Sequence, residues 1–155
     1  MPTSFTQLNL PQTELNIQSY EEGYKVKCLV RKKFIMLTPE EWVRQHFISY
    51  LNNELKYPIS LMAVEKEILV NKKKKRFDIV CSDNTGKFKV LVECKAPKIA
   101  VNASTFDQAA RYNMTLKVPF LIISNGLKHF CASVDFSEKS VHYLENIPSY
   151  DELKK

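Results

Sequence analysis

The order of predicted elements gives an α/β or α+β domain built on one sheet. Three observations carry this expectation: a capped helix start at Thr38, a polar turn ending in Gly86 between two apolar runs, and a stretch at residues 118–124 that is apolar on both faces. With 155 residues, 45% of them hydrophobic and 26% charged, the chain can fill one core of two or three layers but not a second of comparable size. We therefore read residues 1–22 as an irregular N-terminal arm and residues 23–155 as a single domain.

Each element has a local reason. The arm is polar and carries Pro2 and Pro11; it packs on the core or on a partner. In residues 24–30, Tyr24, Val26, Cys28 and Val30 alternate with Lys25, Lys27 and Leu29, which predicts a strand. Thr38 suits an N-cap, Pro39 the first helical position and Glu41 the far side of a capping box, so a helix runs from there to about Leu55 and buries Val43, Phe47, Leu51 and Leu55. A strand follows at residues 62–70, with Glu65 and Glu67 facing water. Residues 76–81 and 87–95 form a hairpin about the turn at residues 82–86. A second helix begins near Ser104, with Phe106, Ala109, Ala110 and Met114 as its apolar stripe and Gln108 and Tyr112 together on another face. Residues 118–124 read as a fully buried strand. Asn125-Gly126 then turns the chain into a strand at residues 128–134, and one more short element packs near residues 141–148.

The hairpin holds the candidate chemistry. Alternation along residues 87–95 puts Glu93 and Lys95 on the face of Leu91, away from Phe88, Val90, Val92 and Cys94. If Ser82 pairs with Lys87, Asp78 lies opposite Leu91 and joins Glu93 and Lys95; a slip of one residue would undo this. Two carboxylates beside an ammonium suit a hard divalent cation held next to water and phosphate. By spacing alone, an exposed ion pair of Asp78 with Lys95 or Arg76 stands equally well.

The series Asp78, Glu93-x-Lys95 and Gln108-x-x-x-Tyr112 resembles the PD-(D/E)XK nucleases that carry an added QxxxY motif. More narrowly, residues 38–47, 75–80, 91–97 and 106–113 resemble the N-terminal domain of the type I restriction enzyme R subunit, over roughly residues 30–150. The resemblance implies a restriction-endonuclease-like core, a mixed sheet flanked by helices on both faces. It also implies hydrolysis of DNA phosphodiesters with Mg²⁺ or Mn²⁺ bound by Asp78, Glu93 and the backbone carbonyl of Cys94. Lys95 would orient or activate the attacking water and stabilise charge at the phosphate, and Gln108 and Tyr112 would position the substrate backbone or the lysine. Nucleases of this type often add an acidic residue from the first helix; Glu41 reads more readily as a cap, and Glu40 has no better case. Arg44 and Arg111 are candidates for phosphate contact, though ordinary helix surface is the simpler reading. Phe77 stands where the family motif has proline. The R subunit continues into a helicase motor, whereas this sequence has no G-x-x-x-x-G-K-[ST] and only three glycines, so no ATP site is expected.

The net charge of +6 favours a polyanion partner, and the positives cluster at residues 31–33 and 72–76 and at Lys95 and Lys98. The run at residues 72–75 is either a solvated loop guarding a sheet edge or, because it precedes Asp78, a phosphate contact near the metal. Cys28, Cys81, Cys94 and Cys131 lack C-x-x-C pairing and read as buried free thiols; the three scattered histidines give a zinc site little support. No leader-like N-terminus or membrane-length apolar run occurs, which points to the cytoplasm. The leading expectation is a DNA nuclease, alone or as a restriction-system subunit. The alternatives are a non-catalytic module binding DNA or a partner, and an assembly subunit forming a homodimer through its arm.

Overall fold

A computed structural model describes residues 5–154; the first four residues of the expected arm, and Lys155, lie outside the described residues. A small antiparallel sheet comes first, from β1 (Ile17–Tyr20), β2 (Gly23–Lys27) and β3 (Phe34–Met36) in that order. Helix α1 (Pro39–Asn53) follows, then β4 (Met62–Val70), β5 (Lys73–Ser82), β6 (Phe88–Cys94), helix α2 (Ala103–Tyr112), β7 (Phe120–Ser124), β8 (His129–Asp135) and β9 (Ser140–Leu144). Strands β4 to β9 lie side by side in sequence order, all antiparallel except β6 and β7. That parallel pair exists because α2 carries the chain back across the sheet between them.

The two helices cover opposite faces. Val43, Phe47, Ile48 and Leu51 of α1 pack with Ile79, Cys81, Val90, Val92 and Ile122. Phe106 and Ala110 of α2 pack with Phe77, Val80, Leu91 and Leu121. This is the restriction-endonuclease-like arrangement expected of the chain. All four cysteines are free and buried, as read from their apolar surroundings.

Several local expectations change. The arm is not irregular throughout, since Ile17–Tyr20 pairs with β2. Ahead of β1 the chain is strapped to its own core: Trp42 Nε1 donates to the Thr6 carbonyl at 2.9 Å, and Asn9 N–H to the Gly126 carbonyl at 2.8 Å. With that cover, α1 is buried almost all round from Glu41 to Ser49, not only along one stripe. Thr38 Oγ1 accepts the Glu41 N–H at 3.0 Å, but the Glu41 carboxylate turns to Arg44 and Gln45, so only half of the capping box forms.

The hairpin register is displaced by two residues from the expected one. Ile79 faces Val92, Val80 faces Leu91 and Cys81 faces Val90, then the register slips so that Ser82 faces Phe88. The turn causes this: Asp83 and Lys87 close it through a backbone bond of 2.9 Å, and the Asp83 carboxylate accepts the N–H groups of Thr85 and Lys87. Continued along the strands, this register sets Asp78 level with Glu93 instead of Leu91. Asp78 itself lies beyond the ladder, at a break in alternation: Phe77 and Val80, three residues apart, both join the α2 cluster, and the Asp78 carboxylate meets Arg44 of α1.

The basic run is strand, not loop. Lys73, Lys74 and Lys75 pair with Val70, Leu69 and Ile68 of β4. The two-residue turn at Asn71 and Lys72 has φ of 51° and 68°, the left-handed pair that a tight hairpin requires.

Candidate active site

Asp78, Glu93 and Lys95 lie where β5 and β6 part. The ladder between β5 and β6 begins only at Ile79, and the ladder between β4 and β5 skips the level of Glu65 and Asp78. Glu65 has φ of 53°, a conformation few non-glycine residues adopt. At this parting the backbone groups give way to side chains, and Asp78 Oδ2 accepts the Cys94 N–H at 2.7 Å.

Arg44 is the hub on the α1 side. Its Nη2 and Nε donate to both oxygens of Glu41, at 2.7 and 3.1 Å. Nη2 also lies 3.2 Å from Glu65 Oε1, and Nη1 3.5 Å from Asp78 Oδ1. Arg44 and Glu41 are 6% and 4% exposed, so the pair is well desolvated, and the reading of Arg44 as helix surface fails. The reading of Glu65 as simply facing water fails too, because it pairs with both Arg44 and Arg31. Burial opposes charge on Glu65, but Arg44, Arg31 and Arg76 outweigh it and hold the carboxyl below its usual range.

Asp78 behaves in the opposite way. Desolvation pushes its carboxyl from 3.8 up to about 6; the Cys94 N–H and Arg44 draw it down, while Glu40 and Glu93 push it up further. Asp78 and Glu93 thus act on each other, yet a different cation holds each. Lys75 Nζ sits 2.7 Å from Glu93 Oε1. It also lies over the rings of Phe77 and Tyr112, at 5.1 and 5.3 Å. The contact with Glu93 is an ion pair without hydrogen-bond geometry, which leaves a buried carboxylate oxygen with no hydrogen bond among the described residues.

Lys95 is anchored through its backbone, whose N–H donates to the Ser124 carbonyl at 2.8 Å, while its side chain is exposed. Gln108 and Tyr112 are exposed on α2, and Lys75 links Tyr112 to Glu93. Arg111 pairs within its own helix with Asp107 at 2.9 Å.

Among the described residues no group of three or more His, Cys, Asp or Glu side chains stands at metal-holding spacing. What the site offers is a pair of carboxylates, Asp78 and Glu93, with the Cys94 carbonyl between the motif residues. Hard oxygen donors of this kind fit Mg²⁺, which usually takes one or two carboxylates and leaves its other positions to water and phosphate. The buried Oε1 of Glu93, met by the Lys75 ammonium at 2.7 Å, is the position such a cation would contest.

Sequence reasoning missed Lys75, and it named Arg44 only as a candidate phosphate contact, with helix surface as the simpler reading. Lys75 was one charge in a run, and nothing local marks it as the one that turns inward. For Arg44 a signal existed: Glu41, Arg44 and Gln45 share one helical face, and the apolar residues 43 and 47 flank it.

The fold and this parting of strands define the class, a restriction-endonuclease-like α/β domain. The sequence profile of the family described as Type I restriction enzyme R protein N terminus (HSDR_N) matches residues 39–148, and the chain belongs to that family. In structure it is similar to a fragment assigned to an HsdR subunit of a type I restriction enzyme from Vibrio vulnificus YJ016, with a TM-score of 0.54 and 19% identity. The match covers 76% of this chain and 25% of that one, so this chain spans about a quarter of that fragment's length. No curated protein matches. Among the described residues, no helix is long and apolar enough to cross a membrane.

Proposed function

We propose that this chain is a metal-dependent DNA nuclease, a relative of the R-subunit nuclease domain, and that Asp78, Glu93 and Lys95 form its centre. The observation that carries the reading is a desolvated Asp78, bonded to the Cys94 N–H where β5 and β6 part, with the half-buried Glu93 and the exposed Lys95 on either side of Cys94. Mg²⁺ held by Asp78, Glu93 and the Cys94 carbonyl would supply Lewis acidity toward a phosphoryl oxygen and toward bound water. The ammonium of Lys95 has three donors and no carboxylate partner among the described residues, so it is free to orient the attacking water and to meet charge developing on the phosphate. Tyr112 reaches the site through Lys75, and together with Gln108, one turn away on α2, would steer the substrate backbone.

The test is incubation of the purified chain with Mg²⁺ or Mn²⁺ on supercoiled, linear and single-stranded DNA. We expect cleavage, and a loss of about a hundredfold or more in Lys95→Ala without change in thermal unfolding. Full activity in that variant would remove Lys95 from the mechanism.

One observation favours a second reading, a non-catalytic DNA- or partner-binding module. Each carboxylate already has a cation of the chain's own beside it, Arg44 at Asp78 and Lys75 at Glu93. That reading predicts no cleavage with any divalent metal.

A further inference from the structure

We infer that the β4–β5 ribbon is a duplex-DNA docking element that seats phosphates beside the carboxylate pair, an inference that rests on DNA being the substrate. Past Ile79, β5 has no partner in β6, so residues 73–78 run on with β4 as a two-stranded ribbon. Its inner side is fixed: Val70 and Phe77 are buried in the α2 cluster, and the tip is tied down by Thr115 Oγ1, 3.4 Å from Asn71 Oδ1. The ribbon is therefore held in place, unlike a free tail.

Its tip carries charge with no internal use, Lys74 standing with Leu69 on the outer face, Lys73 with Val70 on the other, and Lys72 in the turn. Lys72, Lys73 and Lys74 are exposed, and among the described residues none of them pairs with a carboxylate or an acceptor. Their neighbour Lys75 is the member of the run spent on Glu93. An edge strand guarded only for solubility needs a lysine or two; here three unpaired ammonium groups stand in consecutive positions, at the end of the ribbon remote from the rest of the sheet. Opposite Lys74, Leu69 is 65% exposed, an apolar contact for groove walls amid the charge. A two-stranded ribbon has the width to enter the major groove of a duplex, with lysines on its strands and turn reaching the flanking phosphates. The strand continues directly into Asp78, so a duplex seated on the ribbon brings its backbone to the parting of β5 and β6.

The experiment measures affinity of the full chain for a fluorescently labelled DNA duplex of mixed sequence across a salt series, in EDTA so that no cleavage intervenes. The comparison is with a variant carrying Lys72→Gln, Lys73→Gln and Lys74→Gln, its fold checked by thermal unfolding. Each lost phosphate contact lowers the slope of log affinity against log salt by about 0.9, so we expect the variant's slope to fall by about two to three. Leu69→Gln is expected to weaken binding with the slope unchanged. An unchanged slope in the triple variant overturns the inference, as does a parent chain that binds no duplex, in which case the ribbon is left to a protein partner. A chain that never cuts but shows the slope change keeps the ribbon and loses the nuclease reading; one that cuts with the slope unmoved does the reverse.

Discussion

Replacing Asp78 with Asn tests whether this carboxyl is as desolvated as the structure makes it. In the unfolded chain the group ionises near 3.8, and in the folded chain near 6. Between those values the native state holds the proton more tightly than the unfolded state does, so ionising Asp78 costs the fold free energy as pH rises. The contribution is therefore favourable at low pH, is lost as pH climbs through the window from about 4 to about 6, and stays lost above it. Two pH decades at about 1.4 kcal/mol each give a span of about 3 kcal/mol. At 18% side-chain exposure the group is buried enough for most of that to survive solvent screening. Asn mimics the neutral acid and still accepts the Cys94 N–H. Urea unfolding of both proteins in EDTA, from about pH 4 to about pH 7.5, should show the variant gaining on the parent by up to about 3 kcal/mol across the window, because other titrations cancel in the difference. A difference that does not change with pH, or that grows in favour of the parent, would refute the desolvation argument and with it the reason to see Asp78 as poised for a cation.

Two other substitutions probe the charges around it. Arg44→Met leaves the buried Glu41 carboxylate with only the Gln45 amide at 2.7 Å, and should cost about 3 kcal/mol in denaturant unfolding; adding Glu41→Gln should recover part of it, and a loss below about 1 kcal/mol would mean the hub is solvated. Lys75→Met keeps the aliphatic stem over Phe77 and Tyr112 but removes the cation competing for Glu93. Mn²⁺ should then bind up to about fivefold more tightly by titration calorimetry or spin resonance, equivalent to about 1 kcal/mol; weaker or equal binding would mean that Lys75 supports the site instead of occupying it.

Much of the fold was legible because it depends on short-range patterns. The Thr38 cap and Pro39 mark the start of α1, alternation marks β4, and residues 120–124, buried on four of five positions, read as an interior strand from the unbroken apolar run of residues 120–123. The features that were misread depend on partners distant in sequence. Arg44 looked like surface because its partners Glu65 and Asp78 come from β4 and β5. Lys75 could not be told from Lys73 and Lys74, since only the packing of Tyr112 and Glu93 decides which lysine turns in. The hairpin register was missed by two because the Asp83 turn closes one residue later than a simple count gives, and the slip between Cys81 and Ser82 adds the second residue.

The sequence by itself determined the two helices, most strands of the main sheet and the order of the acidic and basic motif residues, since backbone periodicity and capping act within a few residues. Tertiary structure decided which cations reach Asp78 and Glu93, how dry those carboxylates are, and that the lysine-rich segment stands out as a ribbon. Charge and solvation at a point depend on every group brought near it, and that proximity exists only once the chain has folded.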